Sequence, residues 1–234
     1  MNFFDGIYDF FYTALIEQNR YKYILEGLQN TLIIAFFATI LGTLLGMIVA
    51  ITKYFAKSTG NVLLKGFEKV CSLYVTVVRG TPVMVQLFIW SLVVLASWTH
   101  AIPVACIGFG FNSGAYVAEI FRAGIEAVDV GQEEAGRSLG LTRITTMRYI
   151  VMPQAIKNIL PALGNEFITL LKETSVAGYI AVNDLTRAGA IIKNNTWDGR
   201  IYFVIAIIYL VMVMIISKVL KMFERRLAKG DKSK

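Results

Sequence analysis

Between residues 158 and 173, Asn158, Ala162, Asn165, Glu166, Thr169 and Glu173 recur at helical spacing. Residues three and four apart share a helix face, so these positions form one polar stripe on an otherwise apolar segment. A carboxylate there can hold an ammonium or guanidinium group, and the neighbouring amide and hydroxyl can take the rest of a polar ligand. The competing reading is a structural ion pair, either Glu173 with Lys172 or Glu166 with a neighbour. Gln86 and Tyr116 could add hydrogen bonds to the same pathway, or be buried and satisfied by backbone. Glu119 and Arg122, three apart, read as an intrahelical pair. Bond-breaking chemistry has no comparable signature. His100 is the one histidine, Cys71 and Cys106 lie 35 apart without a CxxC, and neither a GxSxG nor a metal spacing occurs. The residues are suited to recognition rather than catalysis, and no metal site is expected.

The elements that position this stripe follow from composition. Of 234 residues, 56% are hydrophobic and 17% charged, against about 25% charged in soluble domains. Gly27–Thr52 is 26 residues without Asp, Glu, Lys or Arg, Gly80–Ala118 is 39 and Ile201–Ser217 is 17. A helix of about 20 apolar residues spans a bilayer, so the chain reads as an all-α polytopic membrane protein. A β-barrel would need short alternating segments, which are absent. Five crossings are expected, at about Gly27–Thr52, Pro82–Trp98, Pro103–Glu126, Pro153–Val176 and Ile201–Met222. Asn61–Gly80 carries Lys65, Glu68, Lys69 and Arg79 and reads as an interfacial elbow. Gly108, Gly110 and Gly114 permit close packing or a break in the third crossing.

Residues 1–26 form an amphipathic segment, with Phe3, Phe4, Ile7, Phe10 and Phe11 against Asp5 and Asp9. Its early acids argue against a cleaved signal peptide. Residues 27–222 make a single membrane domain, and residues 223–234 a basic tail. Lysine and arginine divide unequally between the two sides. Seventeen fall in the elbow region, the central loop and the tail, against Arg20, Lys22, Lys172, Arg187, Lys193 and Arg200 on the other side. The positive-inside bias puts the N-terminus outside and the C-terminus in the cytoplasm. The net charge of +7 is then membrane anchoring rather than a nucleic-acid footprint.

The central loop, about 127–153, is built differently. Asp129 can cap a short helix, Val130–Leu139, with Gln132 closing a capping box. Glu133 and Glu134 sit early, where the helix dipole favours acids. Gly140 stands where a C-terminus needs a left-handed residue, Thr142 can cap a second helix, and Pro153 marks a further start. Ala135, Gly136 and Leu139 are expected on one face, small enough for another protein to approach closely. A plain connector folded back on its own bundle would satisfy the same pattern.

Glu134–Ala135–Gly136, then three residues, Gly140, then nine, Ile150–Val151–Met152–Pro153 resemble the EAA loop of ABC importer permeases. Gly136 and Met152 depart from that pattern while keeping its size and apolarity. Val78–Arg79–Gly80–Thr81–Pro82 with Gln86, Gly114–Ile125 and Leu171–Ser175 resemble blocks of the polar amino-acid subfamily. The likeness runs from about Gly27 to the end of the fifth crossing. It implies a type I importer fold of about five transmembrane helices plus a cytoplasmic coupling helix, set in a prokaryotic plasma (inner) membrane. It implies import of polar amino acids, basic ones included, by paired permeases, each a copy or homologue of this chain, served by an extracellular substrate-binding protein. Glu133, Glu134, Ala135, Gly136, Leu139 and Gly140 would couple to an ATPase subunit, and Asn165, Glu166, Thr169, Gln86 and Tyr116 would line the pathway. With no G-x-x-x-x-G-K-[ST] loop in the chain, ATP and Mg would sit on the partner. No cofactor would be bound here, and the chain would not itself be an enzyme. An ion-coupled secondary transporter or channel is the alternative. It leaves the EAA-like loop unexplained, and the internal repeat often found in such transporters is absent.

Overall fold

The computed structural model describes residues 3–59 and 62–229. The last five residues of the expected basic tail, and Asn61 of the elbow, lie outside the described residues. A short helix, α1 (Phe3–Phe11), forms part of the N-terminal segment, residues 1–26, expected to be amphipathic; Met1 and Asn2 of that segment lie outside the described residues. Two irregular turns follow, with Gln18 and Asn19 at φ 54° and 56°. They reverse the chain into α2 (Tyr21–Thr59). Arg20 is buried at this reversal and donates to the Thr13 carbonyl, to Glu17 Oε2 at 3.1 Å and to Gln18 Oε1 at 3.1 Å.

At 39 residues, α2 is roughly 58 Å long, nearly twice the hydrocarbon core of a bilayer. It packs along α5 (Ala101–Glu126), the most enclosed long helix. The spanning window of α5 is 67% buried, against 11% in α10 (Ile201–Lys229). Thus α5 is the centre of the bundle, and α10 presents Phe203, Ile207, Leu210 and Met214 outward, as a lipid-facing helix would. Gly42 lets α2 close on α5, because a Cβ there would lie 2.8 Å from Ser113 Cβ. The α5 helix is continuous, so its glycines serve close packing rather than a break.

The elbow is a helix, α3 (Val62–Arg79), which meets α4 (Val83–Ile89) at 111°. Pro82, at φ −64° and ψ 136°, makes the corner. The expected second crossing is carried by α4, a π-helical turn over Trp90–Val94 and the loop after it. Among the described residues three helices, α2, α5 and α10, are long and apolar enough to cross a membrane, and the bent α3–α4 pair offers a fourth span. The next long helix, α8 (Met152–Glu173), has 22 residues, about 33 Å. It reaches across on length, and its polar stripe is what lowers its apolarity. Between α5 and α8 lie α6 (Val130–Ser138), α7 (Arg143–Thr146) and a π turn over Met147–Val151.

One helix is absent from the sequence expectations, α9 (Leu185–Thr196), in the connection between the last two crossings. Asp184 caps it, accepting from the Thr186 and Arg187 amides at 2.8 and 3.4 Å. Leu185, Ala188, Gly189 and Ile192 are buried at i, i+3, i+4 and i+7. It docks on α2 through the Leu185 amide to Thr31 Oγ1 and Asn30 Nδ2 to the Asn183 carbonyl. α10 itself runs past Met222 into the expected tail as far as Lys229.

Candidate functional site

A cleft of about 500 Å³ opens between α3, α5 and α8, walled by Arg79, Tyr116, Glu119, Asn158, Ala162 and Glu166 among others. Glu166 accepts a hydrogen bond from Ser113 Oγ of α5 at 2.7 Å. Among the described residues no cation stands within ion-pair distance of Glu166 or Glu173, and neither forms the salt bridge considered from sequence. The Glu166 carboxylate therefore has a neutral partner on one side and the cleft on the other. Asn165 and Thr169 are exposed on α8 outside the cleft wall. They share a strip that nothing covers among the described residues.

Tyr116 lies beneath the Arg79 guanidinium, 5.4 Å from carbon to ring centre. The expected Glu119–Arg122 pair is present at 2.8 Å and belongs to a larger cluster. Glu119 also faces Lys53 and Arg79, each at 3.8 Å, and Arg122 bonds Glu126 at 2.6 Å. Three cations against two acids leave this rim of the cleft positive.

Gln86 does not border the cleft. Its Nε2 donates to the Val78 carbonyl at 2.8 Å, the Thr81 carbonyl at 3.1 Å and Thr81 Oγ1 at 2.9 Å. The Val78 carbonyl in the last turn of α3 is thus satisfied by a side chain from the next helix, as buried backbone requires. Of the two roles the sequence left open for Gln86, the structure shows the buried, backbone-satisfied one.

At the far end of α8 the central loop forms a stiff platform. Asp129 caps α6, accepting from the Gly131 amide at 2.7 Å. Gln132 does not close the expected capping box. Its Oε1 accepts from Gln154 of α8 at 3.1 Å, since α8 passes within its reach. Glu133 pairs with Arg143 at 3.1 Å, and Arg143 lies over the Tyr54 ring of α2 at 5.6 Å. Gly140, at φ +78°, ends the helix with the Leu141 amide on the Gly136 carbonyl at 3.2 Å and its own amide on Arg137 at 3.0 Å. That double bond pattern is a Schellman cap.

The expectation that Ala135, Gly136 and Leu139 share a face needs correction. Gly136 is buried, and a Cβ on it would sit 2.6 Å from Thr146 Cγ2 and 2.9 Å from Ile150 Cδ1. It is the seam by which α6 lies on α7 and the turn beyond. Glu134, Ala135 and Leu139 look the other way, and Leu139 is 79% exposed. Sequence reasoning also passed over Ser113, Arg143, Thr146 and Gln154. The adjacent Asn112 and Ser113 were the available signal for the first, a polar pair inside the charge-free run of α5.

A long-helix bundle with a polar cleft and a capped helix held outside it defines the transmembrane subunit of a type I importer. The chain belongs to the family of binding-protein-dependent transport system inner membrane components, which it matches over residues 42–229. It is therefore a multi-pass transport protein of the inner membrane. It is 35% identical to the glutamine transport system permease protein GlnP of Escherichia coli strain K12, over 87% of this chain and 92% of that one. Among solved structures it is similar to an amino acid ABC transporter with histidines, with a TM-score of 0.81 and 44% identity over 90% of this chain and 97% of the other. The inward-facing MetNI methionine ABC transporter shares the fold, with a TM-score of 0.75 at 17% identity over 87% and 95% of the two chains.

Proposed function

We propose that this chain is the permease subunit of an ABC importer that carries polar amino acids, basic ones included, into the cytoplasm. The observation that carries the reading is the cleft, where among the described residues the Glu166 carboxylate has no ion-pair partner and shares the lining with Arg79 and Arg122. The substrate's carboxylate would meet the basic rim, and the ammonium or guanidinium side chain of a basic amino acid would meet Glu166. An ionised group in a membrane normally faces a partner or a pathway. The likeness to amino-acid permeases supports the same substrate class.

In this reading α6 faces the cytoplasm, the N-terminus lies outside, and Glu134, Ala135 and Leu139 meet a cleft in a separate ATPase subunit that holds ATP and Mg. The exposed strip of Asn165 and Thr169 faces a second permease, a copy or a homologue, so that the pathway runs between the two. A substrate-binding protein delivers the amino acid to the outer end. ATP-driven movement pushes on α6, and its bonds to Arg143 and Gln154 pass the displacement to α8.

Reconstitution with the ATPase and binding protein tests this. Glu166→Gln keeps the shape and removes the charge, and loss of a charge-assisted hydrogen bond costs about 1.5–3 kcal/mol. Uptake of labelled L-arginine should fall roughly tenfold or more, and L-glutamine uptake much less. Equal effects on both would remove Glu166 from the recognition site. Uptake that survives an ATPase unable to hydrolyse ATP would sink the importer reading itself.

A further inference from the structure

One turn of α5, residues 111–114, is held from three other helices. Tyr74 of α3 donates its hydroxyl to the Phe111 carbonyl at 2.6 Å. Asn112 Nδ2 donates to Gln86 Oε1 of α4 at 3.0 Å. Ser113 Oγ donates to Glu166 of α8 at 2.7 Å. Gly114 permits the first of these contacts, because a Cβ there would lie 2.7 Å from the Tyr74 oxygen. Asn112 is 3% exposed and Ser113 fully buried.

The orientation of the Gln86 amide is fixed by its surroundings. Turned over, its oxygen would face two carbonyl oxygens, and its nitrogen would face the Asn112 donor. Gln86 Oε1 is therefore available to Asn112, and that bond ties this turn of α5 to the corner at Pro82. The next residue along, Ser113, supports the carboxylate on the cleft wall. Buried hydrogen bonds in sequence strengthen one another and fix a single arrangement.

We infer that Asn112 is a positioning residue for substrate discrimination. Its bond to Gln86 holds the α5 turn in register with the elbow, so that Ser113 keeps the Glu166 carboxylate in one orientation toward the cleft. This rests on the reading of Glu166 as the site of the substrate's side-chain cation. Without the Asn112 bond the turn can shift, Ser113 loses its grip, and the carboxylate no longer favours a cationic side chain over a neutral one.

The test uses the reconstituted complex and reads competitive uptake of L-arginine and L-glutamine together with ATP hydrolysis. Asn112→Ala should change the arginine-to-glutamine ratio roughly threefold to tenfold, the size of one hydrogen bond, in the same direction as Glu166→Gln. Combined with Ser113→Ala it should add little beyond Ser113→Ala alone, because both act through the same bond. A uniform fall in uptake of both amino acids, with the ratio unchanged, would mean that Asn112 only packs, and would overturn the inference. If Glu166→Gln shifts the ratio and Asn112→Ala does not, the positioning role alone fails. If Glu166→Gln leaves the ratio unchanged, the reading beneath it fails too. Should Asn112→Ala not assemble, Gln86→Met breaks the same bond from the other side and is read by the same ratio.

Discussion

Gly140 adopts φ +78° with open space where a Cβ would go, so conformation alone requires glycine there. A left-handed backbone costs an L-residue roughly 1–2 kcal/mol, and a β-branched one is worse placed. Gly140→Val should therefore loosen the cap of α6 while the protein still inserts and assembles. The expected result is ATP hydrolysis within about twofold of normal with uptake reduced several-fold, measured as ATP consumed per substrate carried, because a frayed lever transmits less displacement. An unchanged ratio would count against α6 as the input element. This glycine was legible in the sequence, since a glycine closing a capped helical stretch is a local signal. Gly136 was not. Its partners, Thr146 and Ile150, lie ten and fourteen residues on, and only the fold shows which side of α6 they cover.

Among elements, α6 is held by the Gln132–Gln154 bond to α8, the Glu133–Arg143 pair to α7, and the Gly136 seam on α7 and the turn beyond it. The seam is the least forgiving, because an added methyl group meets Thr146 with no room to yield. Gly136→Ala should destabilise the platform by about 1–3 kcal/mol, as overpacking does. Thr146→Ala on the same chain should restore most of it. The Thr146 hydroxyl is buried without a hydrogen-bond partner among the described residues, so removing it frees space and loses none of the bonds seen there. Thermal unfolding of the purified complex would show the loss and the recovery, and a double variant no more stable than the single would disprove the seam. The same dependence on distant partners explains what else the sequence hid at this scale. Helix starts at Asp129 and Thr142 were readable from capping residues. The role of Gln86 as the lock of the elbow, and α9 as a docked helix, depend on contacts with α5 and α2 that no local pattern displays.

For the whole molecule, the apolar runs and the central loop predicted an all-helical membrane bundle because both signals are written locally, in hydropathy and in caps. Which wall of the bundle encloses the cleft was not legible, since it depends on how α3, α5 and α8 cross. Orientation is the property of the whole molecule that the positive-inside argument leaves for experiment. Leu139 on α6 and Trp197 between α9 and α10 lie at opposite ends of the bundle and are 79% and 87% exposed, so both accept a label. Of the two native cysteines, Cys106 is buried and Cys71 partly so, and Cys71→Ser gives a quiet background. In intact cells a membrane-impermeant maleimide should label Trp197→Cys and leave Leu139→Cys unmodified. In inverted vesicles the pattern should reverse, apart from any shielding of position 139 by the ATPase. That shielding should disappear when the ATPase is stripped away. Labelling of Leu139→Cys in intact cells would place α6 outside, where no ATP-driven subunit can reach it, and the coupling reading would fall with the orientation.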